Sequence, residues 1–176
     1  MANRLALEIP ASLGRTGDVT LDLPGADGRP RRSVYLHAGQ VHAAAEPSSL
    51  VTVLGSCVAV CLYDREAGVG GMNHFLLPHP TLREHSPRFG AYAMPHLLEE
   101  VLKLGARRER LGAKVFGGAC VIEAFKGRNL GAENVALALK ALDEARVQVL
   151  ERDVGGRHGR KLVFHTDVGA AWVRAL

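Results

Sequence analysis

Val51-Thr-Val-Leu-Gly55-Ser-Cys57-Val-Ala-Val-Cys61-Leu-Tyr63-Asp-Arg-Glu-Ala-Gly68-Val-Gly-Gly-Met-Asn-His74-Phe-Leu-Leu-Pro78 is the stretch that decides the fold. Residues 58–63 are β-branched and apolar on both faces, the pattern of a strand covered on both sides. Residues 51–54 read as a short strand that ends at the turn Gly55-Ser56-Cys57. Asp64 to Gly68 supply turn chemistry, and residues 69–77 read as the strand that returns, closed by Pro78. The centre of the protein is therefore expected to be an antiparallel hairpin buried inside a larger assembly.

Outward from this hairpin, the signals are mostly strands. Val34-Tyr-Leu-His-Ala38 and Val41-His-Ala-Ala-Ala45 read as extended, broken at Gly39. Residues 79–90 read as loop. Leu97, Leu98, Val101, Leu102 and Leu104 recur at helical spacing, with Pro95 expected in the first turn and Gly105 as the stop. Residues 114–120 read as a strand running into glycines. Residues 134–145 read as a helix with Val135, Leu139 and Leu142 on one stripe. Residues 147–150, 161–164 and 170–173 read as late strands, the last two joined by a turn at Thr166-Asp-Val-Gly169. Strands predominate and do not alternate regularly with helices, which predicts an α+β fold and not a doubly wound sheet. Residues 1–33, rich in Gly, Pro, Asp and Arg, read as a loose N-terminal extension, and 34–176 as a single domain.

Composition narrows the class of function. The chain has 176 residues, 47% of them hydrophobic and 23% charged, which suits one soluble core. No apolar run approaches the roughly 20 residues that cross a bilayer, and the N-terminus does not resemble a signal peptide. A cytoplasmic protein is expected. The three cysteines, Cys57, Cys61 and Cys120, cannot complete a set of disulfides and show no C-x-x-C spacing. Free thiols fit a reducing compartment. The net charge of +4 and the clusters around Arg107–Arg110 and Arg157–Lys161 come without aromatic interleaving or zinc-finger spacing, so an acidic protein surface is expected as partner and nucleic acid is not.

The chemistry concentrates on the hairpin. If the strands pair around a four-residue loop from Asp64 to Ala67, Cys57 faces His74 directly, with opposed Cβ atoms about 4.5–5.5 Å apart. A loop longer by one residue would move His74 to the other face. A thiol is mostly protonated at neutral pH, and an imidazolium beside it stabilises the thiolate nucleophile. Amides of the Gly55-Ser56 turn are candidates for stabilising an oxyanion. A zinc site is the rival use of these residues. Positions 57 and 61 on one strand lie about 13 Å apart at ~3.3 Å per residue, too far to share a metal, so Cys61 is read as core.

Two segments, Thr52-Val-Leu-Gly-Ser-Cys57-Val-Ala-Val-Cys61-Leu-Tyr-Asp64 and Gly70-Gly-Met-Asn-His74-Phe-Leu-Leu-Pro78, resemble the signature of the CheD family of chemoreceptor glutamine deamidases. The resemblance continues through Phe116-Gly-Gly-Ala119, Gly127-Arg-Asn129, Gly155-Gly156 and Gly159-Arg-Lys161, over about residues 34 to 174. It implies a fold of mixed β-sheets packed together with flanking helices, similar to the cytotoxic necrotizing factor deamidases. It also implies a cysteine amidohydrolase with no cofactor and no metal, whose nucleophile is Cys57, whose base is His74 and whose third member is Thr52, with Ser48 and Ser49 as competing hydroxyls. Phe116, Gly117, Gly118, Arg128 and Asn129 are the candidates for substrate contact, and Asn73 is expected to be structural. The partners implied are chemoreceptor cytoplasmic domains and the CheC phosphatase, with the protein itself a monomer. The alternative reading is a non-catalytic module that docks on receptors or CheC, which has no need of the Cys57–His74 pair.

Overall fold

The structure, a computed structural model, describes residues 23–24, 27–120 and 129–176. Its strands are β1 (Leu23–Pro24), β2 (Pro30–Tyr35), β3 (Gln40–Ala44), β4 (Ser48–Leu54), β5 (Val58–Asp64), β6 (Val69–Phe75), β7 (Gly112–Gly117), β8 (Gln148–Val154), β9 (Arg160–His165) and β10 (Ala171–Ala175). The helices are α1 (Gly90–Lys103) and α2 (Leu130–Glu144). Among the described residues the strands form two five-stranded mixed sheets, ordered β1-β2-β4-β9-β10 and β3-β6-β5-β7-β8. Each sheet contains one parallel pair, β2 with β4 and β7 with β8. The fold is α+β, as expected.

Alternation along β5 explains the layering. Val58, Val60 and Leu62 pack with Phe75 against Ala93, Leu97 and Val101 of α1 and Ala138 and Leu142 of α2. Ala59 and Cys61 point the other way and join Leu50, Leu54, Met72, Phe116, Leu162 and Phe164 in a second cluster between the sheets. The sheet containing β5 is thus covered on both faces, which is why residues 58–63 carry no polar alternation. Each large side chain buried this way contributes about 1.5–3 kcal/mol.

The hairpin register differs from the expected one. Asp64 does not begin the loop; it is the last rung of the ladder, opposite Val69, and His74 consequently opposes Ala59. The cause is the Asp64 carboxylate, which is fully buried. Its Oδ1 accepts the N–H groups of Glu66 and Ala67 at 3.1 Å, and its Oδ2 accepts from Arg107 N and Arg110 Nε at 2.9 Å. That tight local cap moves the loop to 65–68 and shifts every opposed pair by two positions. A shift of two preserves the face, so Cys57 and His74 still lie on one side of the sheet.

Other expectations need smaller corrections. The sheet extends back to Pro30, and Arg31, assigned from sequence to a loose extension, is buried. Helix α1 starts at Gly90, so Pro95 lies inside it and the Ala91 carbonyl forgoes an amide partner one turn later. Helix α2 starts at Leu130, four residues earlier than its apolar stripe suggested, because the Asn129 side chain caps it by accepting Ala132 N–H at 3.0 Å.

Candidate active site

Thr52 sits in the middle of β4, fully buried between Leu50 and Leu54, on the side that faces the other sheet. Its hydroxyl donates to the Leu36 carbonyl at 2.7 Å. A hydroxyl has one proton, so the 2.8 Å contact between Thr52 Oγ1 and His74 Nδ1 is Nδ1–H donating to the oxygen. The ring is held as the Nδ1–H tautomer, and its lone pair lies on Nε2. Nε2 is buried and has no hydrogen-bond partner among the described residues. Buried polar atoms without a partner are uncommon, and this one is the atom a general base would use. Burial holds the His74 pKa below the ordinary histidine value, with the nearby Leu36 carbonyl opposing that effect. The imidazole is therefore neutral at pH 7.

Cys57 is half-buried one residue before β5 and packs against the inter-sheet cluster on the same side as Ala59. With Ala59 opposite His74, Cys57 is the diagonal neighbour of the histidine and not its direct partner. Burial pushes the Cys57 thiol up, while its own backbone N–H pulls it slightly down. Both shifts favour the uncharged forms of thiol and imidazole. No hydrogen bond joins them among the described residues.

The turn that carries Cys57 is fastened from below. Gly118 N donates to the Cys57 carbonyl at 2.8 Å and Ala119 N to the Gly55 carbonyl at 2.9 Å. Gly117 has a φ of 105°, and a Cβ there would collide with the Cys57 carbonyl oxygen, so only glycine allows this approach. Arg160, part of the basic cluster expected to meet an acidic partner, is nearly buried and braces the same segment, donating to the Gly117 and Gly155 carbonyls at 2.7 and 2.8 Å. The amides of Gly118 and Ala119 are spent on these bonds, whereas the Cys57 N–H acts on its own thiol.

The remaining candidates fall in different places. Phe116 is fully buried between the sheets, so its ring cannot touch a docked protein, and this segment offers the site backbone only. Asn129 is exposed and occupied as the cap of α2. Arg128 lies outside the described residues. Ser48 donates to the Glu46 carbonyl at 3.0 Å and not to the histidine. Asn73 points to the helix side, accepting Val60 N–H at 2.9 Å and donating to the Ala93 carbonyl at 3.2 Å. Cys61 is core. Sequence reading missed Leu36, whose carbonyl fixes the direction of the threonine bond, and Arg160. The Leu36 contact is made by main chain and the Arg160 contacts end on main-chain carbonyls, so neither has a sequence signal.

A half-buried thiol and a buried histidine with one unpartnered ring nitrogen thus lie on one face of a covered sheet. Residues 76–175 match the family described as CheD chemotactic sensory transduction. The chain is 63% identical over 94% of its length to the probable chemoreceptor glutamine deamidase CheD 1 of Anaeromyxobacter dehalogenans (strain 2CP-C), covering 96% of that protein. It is 47% identical over 81% of its length to the probable chemoreceptor glutamine deamidase CheD of Trichlorobacter lovleyi, covering 90% of it. The chain belongs to the CheD family. Among the described residues no helix is long and apolar enough to cross a membrane.

Proposed function

We propose that the protein hydrolyses glutamine side chains of chemoreceptors to glutamate, with Cys57 as nucleophile, His74 as general base and acid, and Thr52 as the group that orients the histidine. The observation that carries this reading is the buried, unpartnered Nε2 of a histidine locked by Thr52 on the face that holds Cys57. The names of the two relatives described above supply the substrate.

In the first step the Cys57 sulfur attacks the carboxamide carbon as its proton passes to His74 Nε2. The developing oxyanion lies near the Cys57 N–H. Collapse breaks the C–N bond, and Nε2–H protonates the departing ammonia, leaving a thioester. Water, deprotonated by Nε2, then releases glutamate and regenerates the thiol. The scheme balances without a cofactor. The receptor gains one negative charge per event, and a glutamyl methyl ester would react by the same route. With the reading go a single catalytic domain and a cytoplasmic location, expected from length and composition, a monomeric enzyme, and CheC as a second partner implied by family membership.

Incubating the purified protein with a receptor cytoplasmic fragment tests the reading. Ammonia release with conversion of specific glutamines to glutamate by mass spectrometry is expected. A folded protein that binds the fragment and releases no ammonia would leave only the docking module.

A further inference from the structure

Asn134 stands on the buried stripe of α2 with Gly131, Ala138 and Leu142, where an apolar side chain is the norm. It is fully buried. A buried amide is costly unless it is hydrogen-bonded, and asparagine is a weak helix former, so its presence has to be explained by its partners. Its Nδ2 donates to the Ser56 carbonyl at 3.1 Å and to the Leu76 carbonyl at 2.8 Å. Ser56 precedes Cys57 by one residue, and Leu76 follows His74 by two. Both carbonyls lie just beyond the last β5–β6 rung, Val58 opposite Phe75, where the ladder can no longer hold the two segments together. The amide supplies the missing rung.

The orientation of the amide supports this. Both Nδ2 protons are used, and Oδ1 is buried with no partner among the described residues. Asn73, also fully buried, uses both ends of its amide to join β5, β6 and α1. At position 134 the two donors are kept although the acceptor goes unpaired. Helix α2 is pressed close enough for this because a Cβ at Gly131 would collide with the Gly118 carbonyl, and Gly118 in turn holds the Cys57 carbonyl.

We infer that Asn134 is a positioning residue, which fixes the spacing between the Cys57 turn and the end of the His74 strand by bridging the Ser56 and Leu76 carbonyls. The inference rests on the reading of Cys57 and His74 as the reacting pair. It is tested in the full chain by the rate of Cys57 alkylation with iodoacetamide, which needs no receptor. The variants are His74→Ala, Asn134→Ala, their combination, and Asn73→Ala as an equally buried amide outside the bridge.

His74→Ala is expected to slow alkylation of Cys57 about tenfold in the parent but less than about twofold on top of Asn134→Ala, since groups acting as one unit are not additive. Asn73→Ala should lower the melting temperature and leave the His74 dependence intact, which separates positioning from general stability. Asn134→Ser, which keeps one donor, serves if the alanine variant does not fold, and should retain part of the dependence. A folded Asn134→Ala or Asn134→Ser protein with the full His74 effect overturns the positioning role alone. No effect of His74→Ala in the parent overturns the Cys57–His74 pair and this inference with it.

Discussion

Arg31 and His74 are both titratable side chains buried in the same small fold, yet their surroundings are satisfied to different degrees. The Arg31 guanidinium meets two carboxylates as forks: Asp167 through Nε and Nη2, both at 2.8 Å, and Asp27 through Nη1 and Nη2 at 2.7 and 2.8 Å. Burial raises the Asp167 carboxyl, but the Arg31 hydrogen bonds outweigh it and leave the group below its ordinary range. Nothing in that cluster is left to react. His74 has one ring nitrogen tied to Thr52 and the other untied. A saturated polar cluster holds parts of the chain together, whereas one with an open lone pair can accept a proton. The two regions should therefore respond oppositely to substitution, one through stability and the other through turnover.

Cys57→Ala sets the upper end of the comparison. Removing the nucleophile should cut ammonia release by about 10⁴-fold or more while the melting temperature stays close to that of the parent. Turnover near the parent rate in this variant would end the proposed mechanism.

Arg31→Met should do the reverse. It leaves Asp167 buried without its cation, a change that costs about 3–5 kcal/mol, measurable by urea unfolding. Turnover per folded molecule should stay within about twofold, since among the described residues no hydrogen bond links this cluster directly to His74. A large loss of turnover at full folding would dissolve the distinction between the regions.

Acid should weaken the saturated side. Burial and then the Arg31 charge push the His165 pKa down to about 4 from 6.5. The unfolded chain binds that proton and the folded one resists it, so the stability present above pH 6.5 is lost as pH falls toward 4, by roughly 3 kcal/mol. Protonation of Asp167 removes more below that range. Urea midpoints measured from pH 7 to 4 check the slope, and His165→Gln should flatten it. An unchanged slope in that variant would assign the loss to other groups, His74 among them.

Thr52→Val is the mildest and sharpens the comparison most. It should reduce kcat about 10- to 100-fold, less than loss of Cys57, because it removes the acceptor that fixes the tautomer and makes no bond to substrate. Thr52→Ser should restore most of the rate. Equal rates for Val and Thr would transfer the orienting role to the Leu36 carbonyl.

The sequence made the sheet-rich α+β class legible because β5 carries a continuous apolar run of the kind a doubly covered sheet requires. The thiol and the histidine were legible as residue types on one face, and the threonine only through the family resemblance. Their direct opposition was not, because the register depends on the buried Asp64 carboxylate and on Arg107 and Arg110, more than 40 positions away along the chain. Asn134 and Arg160 were illegible for the same reason: each bonds main-chain carbonyls of distant segments, and carbonyls leave no trace in residue identity. Phe116 was misplaced because an aromatic beside two glycines gives no hint of which way it faces.

The Thr52–His74 hydrogen bond joins β4 of one sheet to β6 of the other, and this makes it an interlock. Under the proposed chemistry, the base is set only when the two halves of the sandwich have closed on one another. A nascent or partly opened chain carries its cysteine but no correctly protonated imidazole, and is inert toward the glutamines of neighbouring proteins. Heating or pressure that loosens the seam between the sheets would silence the enzyme before the strands themselves separate.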